Sequence, residues 1–560
     1  MNDAYWIVGI VLVSLFLLIV IKESYDYKRN KKRILDKARK AFGTFNSERL
    51  SSDELDSCKR LFYRYEGPDS IDDITANDVD LDEIYQRFNN CKSSCGSEYF
   101  YYLLRTPCYE EDKLKDFNDK VEFLKENEAA RLKFLNHFIS IGSMKRVSFL
   151  DCLDYMDSIE KVSFVKDILL DVFFFVSLAS VFFAPSFGAI LLILSIVLNI
   201  ITYYKGRGEI DKYIVFFSFI SRFLIEGKEL AKDLDDKFKD ERENLLKNLN
   251  LEKKLVSLTK NVNKSSGPTG AGSPFDIIID YIKVIFHIDI ICFYRLLSLL
   301  KDKKQVIEET YVTLGKLETY LNVASLRCAL PFYSIPKKGS GYKAIDLYHP
   351  LIENPVLNSI DTNKGVLITG SNASGKSTFL KAVCLNAIFA KTIYTCLSKE
   401  LVMDDYRILS SMSLRDDIIS HDSYFMVEIK ALKRIFDYRL NYPDKKVICF
   451  VDEVLRGTNT VERIACATQI LKAFPKNDIL CFAATHDIEL TQSLKDDYDN
   501  YHFDEEIIED DVLFNYLIKS GSATSRNAIK LLSLMGFPGE IIDKANKMAK
   551  DFTEKGVWEA

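Results

Sequence analysis

The hydropathy pattern begins with an uncharged apolar run near the amino terminus. Residues Tyr5 to Ile21 carry no charged side chain, and a basic segment, Lys28 to Arg33, follows shortly after. The run is long enough to cross a hydrocarbon layer of ~30 Å with help from its flanks. A cleaved secretory signal has the opposite order, with its positive charge before the apolar run. The pattern therefore predicts an uncleaved anchor, with residue 1 outside and the chain cytoplasmic after residue 22.

A second apolar tract runs from Ile168 to Tyr204 and is broken once, at residues 185–188. Its length suits two short spans joined by a tight turn, and lysines flank both ends, which predicts a membrane hairpin whose ends both lie in the cytoplasm. A buried helical hairpin in a soluble core is the alternative, although long uncharged runs are seldom found there. Asp171 would lie near the membrane interface, and Asn199 would hydrogen-bond across the hairpin or to a partner.

Three shorter apolar runs in the C-terminal part read as strands that end in polar residues. The first, at 365–369, leads into a glycine-rich loop. The second, at 446–451, reads as a fully buried parallel strand, and the third lies at 479–484. Polar residues at the carboxyl ends of such strands stand where doubly wound sheets bind ligands.

The loop after the first run has the spacing GxxxxGK[ST] and opens a helix. Gly370 and Gly375 permit the loop to wrap, the backbone N–H groups face phosphates, Lys376 reaches the β and γ oxygens, and Ser377 can hold Mg²⁺. The expected nucleotide-binding residues are Gly370, Ser371, Asn372, Ala373, Ser374, Gly375, Lys376, Ser377 and Thr378.

The polar ends of the other two runs supply the remaining chemistry. Asp452 is expected to hold the Mg²⁺ shell, Glu453 to polarise the attacking water, and His486 to sense the γ-phosphate. A core strand with a solvated polar end explains each run taken alone, but it does not explain all three in this order.

Composition limits the class of protein. The chain has 560 residues, of which 48% are hydrophobic and 12% aromatic, so it has room for several domains, large cores and membrane segments. The formal net charge of −6 gives no overall reason to expect nucleic acid as a partner. Twelve cysteines are scattered, and the pair Cys91 and Cys95 has no second pair or histidine cluster to complete a metal site, so reduced thiols are expected.

The C-terminal motifs resemble those of the MutS-type ATPases of the ABC superclass. The resemblance implies ATP and Mg²⁺ in a composite site shared by a homodimer, where the loop of Ser423 reaches the partner's nucleotide. The family loop usually carries Pro and Met where Ser371 and Ala373 stand, and neither position supplies a required ligand. The matching stretches are Ile368–Leu380, Ser423–Glu428, Asp452–Thr458 and Ala484–Leu490.

The rest of the chain is expected to follow a related plan. The expected fold class is an α/β P-loop (ABC-type) ATPase domain with an all-α MutS-like lever domain and transmembrane helices. The resemblance does not extend to the parts with which members of the family read DNA. Mismatch-recognition domains are not expected before residue 80, and a nuclease-like tail is not expected after residue 550. The expected segments are an anchor and basic flank (1–33), a first lever part (34–166), the hairpin (167–205), a helix and flexible linker (206–274), a second lever part (275–335), the ATPase domain (336–515) and a helical dimerisation segment (516–560).

These features predict a membrane-anchored, dimeric MutS-like ATPase whose nucleotide cycle moves the lever helices. A membrane-tethered repair or recombination factor that binds mismatched or branched DNA stays open as an alternative, although the charge does not favour it. A component of an ABC-type transporter is a further alternative, for which three spans make a poor translocation path.

Overall fold

The structure is a computed structural model that describes residues 14, 22, 25, 26, 29–158, 165–250, 281–371, 374–412, 424–456, 458–508, 511–522, 529, 532 and 535–555. Several predicted features therefore lie outside the described residues. They are the amino-terminal anchor except for residue 14, the linker at 261–274, and Asn372, Ala373 and Ser423 of the nucleotide site.

The described elements follow the chain in this order. After a helix at 29–41, the helices are α1 Ser52–Tyr65, α2 Asp73–Asp78, α3 Leu81–Phe88, α4 Ser94–Arg105, α5 Glu111–Glu126, α6 Glu128–Ile141, α7 Phe149–Tyr155, α8 Val165–Phe183, α9 Pro185–Asp233, α10 Lys239–Asn250, α11 Ile288–Lys301, α12 Lys304–Ala329, α13 Lys376–Lys391, α14 Tyr424–Asn441, α15 Thr460–Lys476, α16 Glu489–Ser493 and α17 Gly539–Lys555. The strands are β1 Lys337–Lys338, β2 Tyr342–Leu347, β3 Asn358–Thr362, β4 Gly365–Thr369, β5 Glu400–Met403, β6 Tyr406–Ser411, β7 Lys446–Asp452, β8 Ile479–Thr485, β9 Tyr498–Ile508 and β10 Asp511–Ser520.

The chain divides into two compact units. A helical unit comprises Met1–Tyr65, Phe88–Tyr102 and Phe117–Ala329, and an α/β unit comprises Glu66–Arg87, Leu103–Asp116 and Leu330–Ala560. The α/β unit thus contains two short segments from the early part of the chain. The finer segment boundaries expected from the sequence stay a prediction.

A six-stranded sheet forms the centre of the α/β unit, with the strand order β10-β9-β4-β8-β7-β6. Strands β9, β4, β8, β7 and β6 run parallel, and β10 pairs antiparallel with β9. Each residue of β4 and β8 is buried, as expected for strands covered on both faces. The three C-terminal apolar runs therefore form strands as predicted, and the parallel order brings their carboxyl ends to one edge. A smaller, four-stranded sheet has the strand order β1-β5-β2-β3.

An early-chain segment of the α/β unit is tied to the end of β6. Asp78, at the end of α2, accepts hydrogen bonds from Ser410 Oγ at 2.6 Å and from Met412 N at 2.8 Å. Asp72, the N-cap of α2, also forms an ion pair with Arg434 of α14 at 2.5 Å. Because the Asp78 side chain is buried, these bonds fix the end of β6 in place.

In the helical unit, helices α4 and α12 pack closely at two glycines. A Cβ atom at Gly315 of α12 would lie 2.4 Å from Cys95 O, so only glycine permits this approach. A Cβ atom at Gly96 of α4 would lie 2.0 Å from Glu318 Oε2. Glu318 accepts a hydrogen bond from Lys92 N at 2.5 Å, and burial raises the pKa of this carboxyl to about 7.

The predicted hairpin is helical on both sides of its break. Helices α8 and α9 meet closely at their turn, where a Cβ atom at Gly188 would lie 2.5 Å from Val181 N. Asn199 donates from Nδ2 to Ile285 O at 3.0 Å, so its partner lies beyond the hairpin. Among the described helices, one stretch, Pro185–Gly206, is long and apolar enough to cross a membrane, and 22% of it is buried.

Candidate nucleotide site

The glycine-rich loop connects β4 to α13 and contains two glycines with positive φ angles. Gly370 has φ +146° and Gly375 has φ +105°, values that residues with a Cβ rarely adopt. Gly375 is also the N-cap of α13 and supplies no side chain to cap the helix. The first-turn N–H groups of α13 are therefore available to an anion, as the loop spacing predicts.

Lys376 is folded back onto the loop that precedes it. Its Nζ donates to Gly370 O at 2.8 Å and to Ser371 O at 2.6 Å, and its side chain is buried. Burial lowers the pKa of Lys376 to about 8. Among the described residues, the hydrogen-bond partners of this buried cation are neutral carbonyls, which favours an anionic ligand, because a phosphate supplies the charge that these carbonyls lack.

The expected metal ligands lie together at the carboxyl edge of the sheet. Ser377 Oγ donates to Asp452 Oδ2 at 2.5 Å, although the two residues are far apart in sequence. Asp452 is buried at the end of β7, and its Oδ1 has no hydrogen-bond partner in the described part of the chain. A hydroxyl and a carboxylate with an unused oxygen are the donors that Mg²⁺ prefers, so these residues fit that ion.

Glu453 is held by two neighbours on either side of its carboxylate. His486 Nε2 lies 2.5 Å from Oε1, and Arg456 Nε lies 2.5 Å from Oε2. His486 Nδ1 is 3.0 Å from Gly370 O, which links the histidine to the loop. Burial acts to raise the pKa of Glu453, but the hydrogen bond from His486 and the charges of His486, Arg456 and Lys376 outweigh it and hold the pKa below its ordinary value. The carboxylate is therefore ionised at neutral pH.

A cavity of about 600 Å³ lies beside the loop. Its lining includes the polar Ser377 and Glu453 and the side chains of Ile352, Val356 and Tyr516. His349 also lines it, and burial, with the charge of Lys381, lowers the pKa of its imidazole to about 4. The volume and the mixture of polar and apolar lining suit a ligand with a phosphate chain and a flat base.

The structure brings most of the predicted residues to this cavity. Six of the loop residues line it, namely Ser371, Ser374, Gly375, Lys376, Ser377 and Thr378, together with Glu453. Asp452 joins them through Ser377, and His486 joins them through Glu453.

Sequence reasoning missed the apolar lining of the cavity and the contact of Arg456 with Glu453. Val356 and Tyr516 come from chain segments before and after the loop, and no spacing rule connects them. Arg456 stands within a stretch that resembles the family motif, but the motif does not indicate which carboxylate it contacts. The buried strands predicted after the loop were the available sign in the sequence that a pocket would lie beside the loop.

Known proteins match this part of the chain. The family model for MutS domain V matches residues 366–553. DNA mismatch repair protein MutS of Fusobacterium nucleatum is 32% identical over 227 residues, which is 38% of this chain and 25% of that protein. DNA mismatch repair protein MutS of Bacillus licheniformis is 32% identical over 231 residues, covering 39% and 26%. DNA mismatch repair protein MSH3 of Yarrowia lipolytica is 32% identical over 216 residues, covering 37% and 21%.

The chain spans about a quarter of the length of these curated relatives. The matched region contains the loop, both carboxylates and His486, which is the set of residues that the structure gathers at one edge of the sheet. The C-terminal part of the chain is therefore MutS-like, with residues 366–553 matching the MutS domain V family.

Proposed function

We propose that this chain binds and hydrolyses ATP at the cavity beside the glycine-rich loop. The contact between Ser377 and Asp452 carries the proposal, because it joins the loop to a buried carboxylate whose second oxygen has no hydrogen-bond partner among the described residues. The triphosphate would replace the loop carbonyls as the partner of Lys376, and the base would lie against Val356 and Tyr516.

Each residue of the site has a role in the proposed reaction. Ser377 and Asp452 would hold Mg²⁺, which supplies charge neutralisation for the β and γ oxygens when it is bound. Glu453 is ionised and would orient the attacking water and accept its proton. His486 contacts both Glu453 and Gly370 O. A movement of the loop on phosphate binding would therefore shift His486 and, with it, the Glu453 carboxylate.

The ATP site is proposed to be completed by a second copy of the chain. The stretch Ser423–Glu428 resembles the loop that reaches a partner's nucleotide in MutS-type ATPases. Within this stretch, α14 begins at Tyr424. ATP closure of such a dimer would move the helices of each subunit. This movement of the helices is part of the proposal.

Purified full-length protein in detergent tests the proposed activity. We expect Mg²⁺-dependent phosphate release from ATP, with a rate per subunit that rises with protein concentration until the dimer is complete. EDTA should abolish it. The absence of ATP binding and turnover by folded protein would reject the proposal.

DNA is the second candidate partner, because the relatives are named DNA mismatch repair proteins. The same assay at low salt, with homoduplex, mismatched or branched DNA, separates the two possibilities. Stimulation of turnover by mismatched or branched DNA would favour a repair factor. No stimulation and no retention on DNA would favour a client other than DNA, in keeping with the acidic net charge of −6.

We also propose that the hairpin of α8 and α9 inserts into a lipid bilayer. Phe182 and Phe183 at its tip are 83% and 89% exposed, and further large apolar side chains such as Ile190 and Ile193 are exposed along α9. Water solvates such a surface poorly, whereas acyl chains cover it. The polar Asn199 is buried, and its Nδ2 donates to Ile285 O, so the amide N–H of this side chain is paired within the protein.

A tryptophan at the tip reports whether lipid covers the hairpin. We expect Phe183→Trp protein in vesicles of brominated phosphatidylcholine to show added fluorescence that is quenched by the lipid, above the background of Trp6 and Trp558. Tyr442→Trp in the α/β unit is the matched control, and its added fluorescence should escape quenching. Added emission from Phe183→Trp that the brominated lipid does not quench would reject insertion of the hairpin. This result would hold whether or not the amino-terminal anchor is in the membrane.

A further inference from the structure

The turn that carries Glu453 is strained and needs external support. Glu453 has φ +58° and Leu455 has φ +61°, so two residues with large side chains adopt the left-handed conformation within three positions. Such a backbone persists only where its surroundings fix it. One fixed point is the hydrogen bond from Glu453 N to Ala484 O at 2.9 Å, which ties the start of the turn to β8.

The second fixed point comes from a different motif. Arg456 N donates to Glu428 Oε1 at 3.1 Å, at the far end of the turn. Glu428 lies on the second turn of α14 and is 3% exposed, so its carboxylate is held in one place by packing.

Arg456 extends this support to the reacting carboxylate. Its guanidinium lies 2.5 Å from Glu453 Oε2 and 3.8 Å from Asp452 Oδ1, and it lines the same cavity as Lys376. A displaced backbone at Arg456 would therefore displace the guanidinium and change the direction in which Glu453 faces. The chain of contacts runs from Glu428 to Arg456 and then to Glu453.

We propose that Glu428 is a positioning residue for ATP hydrolysis, which acts through Arg456 to orient Glu453. This inference rests on the proposed function. Since Ser423 directly precedes α14 in the sequence, the helix next to a subunit's proposed contact with its partner's nucleotide also supports that subunit's own Glu453. A shift of α14 on dimer closure would reach Glu453 without passing through the nucleotide.

A double-mutant cycle in the full-length protein tests the relay. The variants are Glu428→Ala, Arg456→Ala and the pair together, and Lys433→Ala is the control, because Lys433 is an exposed residue of α14 that pairs only with Asp437 among the contacts described for it. We expect Glu428→Ala to lower single-turnover hydrolysis by about 30-fold. Its affinity for a non-hydrolysable ATP analogue should stay within about twofold of wild type, since Glu428 does not line the cavity.

Non-additivity and rescue distinguish positioning from a structural role. The double variant should be no slower than Arg456→Ala, because both residues act on Glu453 along one path. Glu428→Gln keeps an oxygen that accepts from Arg456 N and should recover at least about tenfold of the loss. A hydrolysis rate of Glu428→Gln no higher than that of Glu428→Ala would overturn the proposal. If Glu428→Ala does not fold, the rate of Glu428→Gln is compared with that of Arg456→Ala instead, and a rate no higher than that of Arg456→Ala would overturn the proposal.

Two further outcomes would count against the relay. Effects that multiply in the double variant would show independent roles, and a Glu428→Ala rate equal to that of Lys433→Ala would show no role. Wild-type protein in the same assay separates this inference from the proposed function. Absence of turnover there rejects both, whereas normal wild-type turnover with an unaffected Glu428→Ala variant rejects the relay alone.

Discussion

Replacing Glu453 with Gln is expected to lower ATP turnover by about 100-fold to 1,000-fold while ATP binding is retained. The amide has nearly the shape of the carboxylate and keeps one oxygen that can accept from Arg456, but it cannot accept a proton from the attacking water. Phosphate release from saturating ATP and equilibrium binding of ATP by the same preparations measure the two effects separately.

The control for this substitution is Glu353→Gln, which changes an exposed carboxylate of the same unit. Its turnover should match that of wild type. Normal hydrolysis by Glu453→Gln would remove Glu453 from the reaction and leave the ion pair with Arg456 as a purely structural contact. Loss of ATP binding together with turnover would likewise contradict a role confined to the chemical step.

Local features of the α/β unit could be predicted because short stretches of sequence determine them. The uninterrupted apolar runs that became β4, β7 and β8 predict buried strands, and the glycine spacing predicts a loop that opens a helix. Since parallel strands share an edge, the polar residues that follow them had to meet there. The contact between Ser377 and Asp452 follows from that arrangement.

Features that depend on distant segments could not be predicted in the same way. Asp78 and Ser410 are separated by more than three hundred residues, and their hydrogen bond depends on how an early segment packs within the α/β unit. Helix α9 continues past Tyr204 to Asp233, although Gly206 and Gly208 lie in its path. A glycine in a helix costs about 1 kcal/mol, which packing of the surrounding turns can offset, so local propensity does not reveal where such a helix ends.

Replacing Lys376 with Ala is expected to weaken ATP binding by about 100-fold and to abolish measurable turnover at cellular ATP concentrations. Lys376 is a buried cation of the loop, and the carbonyls of Gly370 and Ser371 that it now contacts are neutral. Its removal leaves the phosphates without their charged partner. Equilibrium binding of a fluorescent ATP analogue measures the loss, and Lys364→Ala, an exposed lysine just before β4, should bind as wild type does.

Mixing two inactive proteins extends this prediction to the shared site. Lys376→Ala removes the loop's contact with ATP, and Ser423→Ala removes the proposed contact from the partner. In a mixed dimer one site carries both changes and the other carries neither, so turnover should return to about a quarter of wild type when half of the dimers are mixed. If both residues serve the same subunit's nucleotide, each subunit keeps its own defect and the mixture stays inactive, which would contradict the composite site.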